Sequence, residues 1–385
     1  MASEFKPLIA IGPRVRKSPF FEATLRHGAK SFTVYNHMYM PTGFSSPESE
    51  YWSLVNDVTL WDVACERQIE ITGPDAARFA QYLTPRNLSK CRVGRCLYVV
   101  LCDEDGGIVN DAVLLRLAEN HFWLSPGDGD VLLWAQGAAI HSGMKVSIDE
   151  PDVSPLQLQG PKSPAVARAL FGDWALELGY FELRETQLDD IPVVLARTGW
   201  SGEIGYEIYL RDGRRGDELW ERAMAAGKPF GIAPIAPSMI RSIEAGMLSY
   251  GADITRADDP ISAGMERLID LDQQADFIGK QALRRIRERG VSRRLVAVEI
   301  AGAPLEAPNQ HFWPVLAGSR VVGHVTRCVY SPRLEKNIGF ANVSADCSAI
   351  GTELALDAPG GRRRARVARS PFTEAKKEIG PDLER

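Results

Sequence analysis

Residues 197–209, R-T-G-W-S-G-E-I-G-Y-E-I-Y, constrain the fold more than any other stretch of the chain. Gly199, Gly202 and Gly205 fall within seven residues and precede a run that alternates along its length. Glycine reaches φ > 0 and lets one backbone approach another closely, so the run reads as a strand end, a tight turn and a returning strand. On the returning strand, Glu207 and Tyr209 share one face and Tyr206 and Ile208 the other. A carboxylate turned into an aromatic-lined cleft suits a flat heterocycle that offers two N–H donors. A plain hairpin with exposed charges has the same spacing, so the stretch alone does not decide a function.

A length of 385 residues allows two or three domains and a sizeable core. Hydrophobic residues at 45% and charged residues at 25% are the proportions of a soluble globular protein. The formal net charge of −5 argues against nucleic acid or a membrane surface as partner. No run of 18 apolar residues occurs, so no membrane span is expected. Residues 1–16 mix acid and base without an apolar stretch, so no signal peptide and a cytoplasmic location are expected. Six cysteines, at 65, 91, 96, 102, 328 and 347, read as reduced thiols. No C-x-x-C or H-x-x-x-H spacing is present, so no metal site is expected.

Strands and helices intermix along the chain. Residues 68–72 alternate as a strand, and Gly73-Pro74 opens a helix to Leu83. Residues 96–102, 108–117 and 121–125, joined by Asp105-Gly106-Gly107 and Glu119-Asn120, form an antiparallel meander. Residues 154–159 are a strand, and Pro161 begins a helix to about Leu170. Residues 191–197 and 204–210 form the hairpin above, and 217–226 and 237–247 are helical in pattern. Beyond about Gly290 the segments 295–300, 321–325, 337–343, 353–356 and 365–368 are short strands between Gly, Pro and Asp turns. They predict a small all-β C-terminal domain. Arg362, Arg363, Arg364, Arg366 and Arg369 in its last hairpin read as a solvated face.

Asp111 stands out in the meander. It sits in an apolar strand on the face of Val109, Val113 and Leu115. A carboxylate there costs several kcal/mol unless it is paired or hydrogen-bonded. Such acids concentrate at functional sites, although structural ion pairs also produce them.

These blocks resemble those of the tetrahydrofolate-binding aminomethyltransferase superfamily, which holds the glycine-cleavage T-protein and its demethylase relatives. The hairpin resembles its R-x-G-[YW]-[TS]-G-E-x-G-[YFW]-E motif. Residues 98–111 resemble Y-x₇-G-G-I-x-D-D, with Asn110 in place of the first acid. Residues 243–254 and 259–264 resemble E-A-G-x-x-x-Y-G-x-D-[IL] and the proline-led block after it. Residues 158–161, 277–283, 323–326, 331–332 and 337–339 match further family blocks in order. The matched blocks run from about residue 18 to Phe372. One departure is Ser242, where the family usually has arginine two residues before the glutamate. Arg241 is adjacent but turned about 100° away on a helix.

The resemblance implies an α+β fold of three modules around a central folate channel. Residues 1–290 would form the folate-binding catalytic region, roughly 1–60 interleaved with 150–250 and 61–149 with 251–290. Residues 291–385 would form a C-terminal antiparallel β domain. It implies that Asp111 lies at the reacting nitrogen of tetrahydrofolate and that Glu207 binds the pterin. Trp200, Tyr209 and Tyr98 would wall the cofactor site.

The N-terminal third resembles the dimethylsulfoniopropionate demethylase branch. T-proteins typically carry F-x-G-W-E-M-P and F-D-V-S-H-M. This chain has Y-N-H-M-Y-M-P at 35–41 and W-D-V-A-C-E-R-Q at 61–68. By that resemblance Tyr35 lines the methyl-donor pocket. The turn G-W-S-G-E-I-G departs from the demethylase's G-W-S-K-Q-G-G and follows the T-protein. The expected activity is therefore tetrahydrofolate-dependent demethylation of a small methylated compound: a sulfonium, a methylated amine or a methyl ether. A glycine-cleavage-type aminomethyltransferase and a non-catalytic folate-binding regulatory protein are the alternatives. The branch leaves a homodimer open.

Overall fold

The computed structural model describes residues 11–379. Residues 1–10, most of the stretch in which no signal peptide was expected, and the last six residues of the expected C-terminal domain lie outside the described residues. Among the described residues there are three large sheet systems and a two-stranded ribbon of Ser31–Tyr35 and Met38–Gly43. The first has six strands in the order Leu183–Leu188, Ile191–Ala196, Gly205–Leu210, Ser154–Gln159, Thr59–Asp62 and Ala233–Pro234. The second has five, in the order Arg95–Cys102, Ile108–Ala118, His121–Pro126, Ile69–Thr72 and Ser147–Asp149. The chain leaves the first sheet after Asp62, builds the whole of the second, and returns at Ser154. The two sheets are thus interleaved in sequence.

Burial follows chemistry on each face. Tyr206, Ile208 and Leu210 pack under the helices Ser163–Phe171 and Gly216–Gly227, with Trp220 and Phe20 filling the same core. Tyr209 points the other way and joins Cys96, Leu115, Trp123 and Val194 between the sheets. The meander is as expected, and its first turn rests on Asp103. That carboxylate accepts from the amides of Asp105 at 3.1 Å and Gly107 at 2.8 Å, and Gly106 takes φ +86°. All six cysteines are unpaired and buried. No helix among the described residues is long and apolar enough to cross a membrane.

The third system is a closed antiparallel barrel in the order Arg293–Ile300, Lys336–Ser344, Arg320–Ser331, Trp313–Ala317, Glu353–Ala358 and Gly361–Ala368. Five of its strands were expected; Trp313–Ala317 was not. Pro314 hides it, because proline breaks a central ladder. Here Pro314 is exposed, and the pairing with Glu353–Ala358 begins only at Val315. The helix expected over 237–247 is only Met239–Glu244, and the one expected from Pro161 starts at Ser163. In the last hairpin Arg362 is exposed and pairs with Asp357 at 3.0 Å. Arg363 reaches the carbonyl of Ala303 at 2.7 Å.

Candidate active site

One cavity of about 1490 Å³ lies where the two sheets and the barrel meet. Tyr98, Asp111 and Val113 enter it from the second sheet and Gln157 and Glu207 from the first. Thr326, Arg327 and Phe340 enter from the barrel. Tyr35, Tyr98, Asp111, Trp200 and Glu207 therefore share one cavity although they lie far apart in sequence.

Glu207 is 3% exposed. Its strand pairs Glu207 with Gln157 on one side and Ala196 on the other. The Gln157 amide donates to Glu207 Oε1 at 2.7 Å, the Tyr209 hydroxyl to Oε2 at 2.9 Å, and the Thr198 hydroxyl also donates to Oε2. Burial raises the Glu207 carboxyl above its ordinary range, and those three hydrogen bonds oppose the rise. Tyr209 corrects the expectation of an aromatic wall. It is fully buried behind Glu207 and positions that carboxylate rather than lining the cavity. A period of two gives the face, not the depth, and Tyr209 lies where the two sheets press together.

The turn before Glu207 stands on Gln159. Its amide donates to the carbonyls of Thr198 at 3.2 Å and Tyr206 at 3.3 Å, and its oxygen accepts from Ser201 at 2.5 Å. A Cβ at Gly205 would lie 2.4 Å from that amide. The close backbone approach read from the glycines is therefore to a side chain of this protein.

Asp111 is opposed by Val100 across the ladder, and the Tyr98 hydroxyl donates to its Oδ2 at 2.7 Å. Its Oδ1 is buried without a hydrogen-bond partner. Burial pushes the Asp111 carboxyl up to about 6, against the Tyr98 hydrogen bond. Trp200 lines the cavity, and its indole N–H donates to the carbonyl of Leu248 at 3.3 Å. Tyr35 ends the strand Ser31–Tyr35 at a tight turn in which Asn36 and His37 take φ of 47° and 61°. Asn36 fixes that turn, accepting from the Gly129 amide at 2.7 Å and donating to the Gly127 carbonyl at 3.0 Å. The Y-N-H run thus sets the direction of Tyr35.

The structure also answers what replaces the arginine missing at Ser242. Arg241 does not. It is fully buried on Glu203 at 2.8 Å and donates to the Gly202 carbonyl at 2.8 Å. Arg327, from the barrel, lies against the Ser242 hydroxyl at 3.3 Å. Its Nε donates to Asp253 at 2.7 Å, its Nη2 to the Met247 carbonyl at 2.7 Å, and its guanidinium sits 5.8 Å from the Trp200 ring. Sequence reasoning missed Arg327, Gln157, Thr198, Ser125 and Glu66. Gln157 carried a legible signal, since glutamine alternates with leucine in a strand buried throughout.

Residues 20–273 match the GCVT N-terminal domain model, and residues 293–374 match that of the glycine cleavage T-protein C-terminal barrel domain. The chain belongs to the glycine cleavage T-protein family. Among its relatives in that family, dimethylsulfoniopropionate demethylase DmdA of Ruegeria pomeroyi is 38% identical, over 92% of this chain and 96% of its own. An aminomethyltransferase of Shouchella clausii is 33% identical over 93% and 98%. The crystal structure of aminomethyltransferase T from Bartonella henselae shares the fold, with a TM-score of 0.85 at 24% identity over 94% of this chain and 99% of that one. The protein is an enzyme, a tetrahydrofolate-dependent transferase of α+β fold.

Proposed function

We propose that this enzyme moves a methyl group from a small methylated donor to N5 of tetrahydrofolate. The donor is a sulfonium resembling dimethylsulfoniopropionate, a methylated amine or a methyl ether. The observation that carries the reading is the Tyr98–Asp111 pair facing the same cavity as Glu207. Binding sites for one drug-sized ligand span roughly 300–1,000 Å³, so about 1490 Å³ has room for two co-substrates.

The residues fit the cofactor. Glu207 is held rigidly by neutral donors and keeps acceptor capacity for a pterin N–H pair, a charge-assisted contact. Trp200 and Tyr98 supply aromatic surface for the ring. Tetrahydrofolate, when bound, supplies the nitrogen nucleophile. Asp111 Oδ1, unpartnered and buried, is placed to take the proton that this nitrogen sheds. With a sulfonium donor the methyl–sulfur bond breaks, a neutral sulfide leaves, and no strong acid is needed. Sharing one cavity would hold the two partners in line.

The relative that demethylates dimethylsulfoniopropionate supports this reading over aminomethyl transfer. The T-protein-like turn is weaker support for the alternative than its sequence suggests. Its acid, Glu203, is occupied by Arg241, with Lys376 at 2.9 Å and Arg333 at 3.6 Å.

Incubating the enzyme with tetrahydrofolate and a panel of sulfonium, betaine, methylamine and aryl methyl ether donors should yield 5-methyltetrahydrofolate by mass from one class. No product from any donor, with calorimetry confirming that tetrahydrofolate binds, rejects the reading. Glu207→Ala should weaken tetrahydrofolate binding by about 10–100-fold, the scale of a hydrogen bond to a charged group. An unchanged dissociation constant would refute the pterin contact.

A further inference from the structure

We propose that Glu66 selects the methyl donor, its carboxyl serving as counter-charge to a sulfonium or ammonium centre bound beside Tyr35. The inference rests on the demethylase reading and names the group that recognises the donor.

Glu66 sits in the turn after the strand Thr59–Asp62, where its amide donates to the Val63 carbonyl at 2.9 Å. It is partly exposed, and it lines the cavity together with Tyr35, Met40, Trp61 and Cys65. The Ser125 hydroxyl donates to Glu66 Oε2 at 2.9 Å, and the Gln68 amide holds that hydroxyl in turn at 2.9 Å. The carboxyl is therefore aimed rather than loose. Burial raises the Tyr35 hydroxyl well above its ordinary range, and the nearby Glu66 and Asp111 carboxyls add to the rise.

The electrostatic pattern around it is one-sided. The partners of Glu66, Asp111 and Glu207 are hydroxyls and an amide, and none of the three forms an ion pair among the described residues. Of the arginines in the same wall, Arg327 is on Asp253, Arg95 on Glu182, and Arg86 and Arg197 on backbone carbonyls. Arg267 also lines the wall, where its charge acts on Tyr98 and Tyr180 rather than on Glu66. Burial and the neighbouring Glu207 push the Glu66 carboxyl well above its ordinary range. Burying a carboxyl without a counter-charge is costly, and a cationic ligand offsets that cost.

Two of the three acids have a use on the folate side, Glu207 at the pterin and Asp111 at the nitrogen. Glu66 is left for the other co-substrate. It also stands where F-D-V-S-H-M of the T-proteins carries methionine, so the charge belongs to the part of the chain that departs from them. A cation between the Glu66 carboxyl and the Tyr35 ring gains from both. A neutral methyl ether gains nothing from Glu66.

The test titrates tetramethylammonium and trimethylsulfonium ions into the full chain loaded with tetrahydrofolate, comparing wild type, Glu66→Gln and Glu66→Met by calorimetry. Glu66→Gln keeps an acceptor for Ser125, so the fold and the tetrahydrofolate affinity should stay within about twofold, while affinity for both cations falls at least tenfold. Cations that do not bind wild type, or that bind Glu66→Gln equally well, overturn the assignment. Equal loss of cation and folate affinity in Glu66→Gln also overturns it, because Glu66 would then be a support of the cavity. Turnover separates the two readings. If methylfolate forms from an onium donor with the same KM in Glu66→Gln, Glu66 is wrong and demethylation stands. If no donor reacts, yet Glu66→Gln abolishes cation binding, the cation site stands and demethylation falls.

Discussion

Asp111→Asn should lower kcat by two to three orders of magnitude, about the effect of removing one preorganised electrostatic or proton-accepting group. Asparagine is isosteric, and its amide oxygen still accepts the Tyr98 hydroxyl now 2.7 Å from Oδ2. What disappears is the negative charge and the acceptor at the unpartnered Oδ1. Tetrahydrofolate binding, which rests on Glu207, should change by less than about threefold, well under the 1.4 kcal/mol of a tenfold effect. Single-turnover kinetics beside calorimetric affinity separate the two effects. A variant with wild-type turnover would remove Asp111 from the mechanism.

The same carboxyl sets a pH limb. Its folded pKa of about 6 lies above the ordinary carboxylate value because of burial. The charged, proton-accepting form is therefore lost as pH falls through about 6, and wild-type kcat should fall with it. Residual activity of Asp111→Asn should be flat across that window. Stability follows the opposite sign. A raised folded pKa means the folded state holds the proton more tightly than the unfolded chain. This contribution to stability is fully present below the unfolded pKa and disappears as pH rises through about 6. Relative to wild type, Asp111→Asn should therefore gain stability as pH rises from 4 to 8.

Arg327→Met should destabilise the fold by about 3–5 kcal/mol, the cost of stripping one partner from a buried ion pair. Asp253 is 2% exposed, and Arg327 is its one ion-pair partner among the described residues. The Thr326 hydroxyl at 2.6 Å and the Ser249 amide at 2.9 Å would remain to it. Neither carries charge. The pair also joins the barrel strand Arg320–Ser331 to the loop that follows Met239–Glu244, so its loss loosens the wall behind Trp200. Denaturant unfolding measures the cost directly. The double variant Arg327→Met/Asp253→Asn, which leaves no stranded charge, should recover most of the loss. A single variant within 1 kcal/mol of wild type would show that the pair is not holding this joint.

Much of the architecture was legible because it is local. Residue patterning marked the meander, the Ile69–Thr72 strand, the Gly205–Leu210 strand and two other strands of its sheet, Ser154–Gln159 and Ile191–Ala196, since each packs one or both faces against a core. It also placed Asp111 on the right face of its strand, and Glu207 opposite Tyr206. Trp313–Ala317 was lost because Pro314 is tolerated only where one neighbour leaves the ladder, a fact of barrel closure. Tyr209 was misplaced because its depth depends on how closely two sheets approach.

By itself, the sequence determined the element types, the glycine turn that brings backbone onto Gln159, and the kinds of acid and aromatic residue available for chemistry. Only the tertiary structure decided which of them meet. Glu66, Asp111 and Glu207 come from separate turns and strands and share one cavity because two interleaved sheets close on each other. Arg327 reaches Ser242 across 85 residues because a barrel strand packs on a short helix. Local periodicity encodes which way a side chain points. The partner it finds is set by sheet stacking and barrel closure, where burial of apolar surface over the whole chain chooses the arrangement.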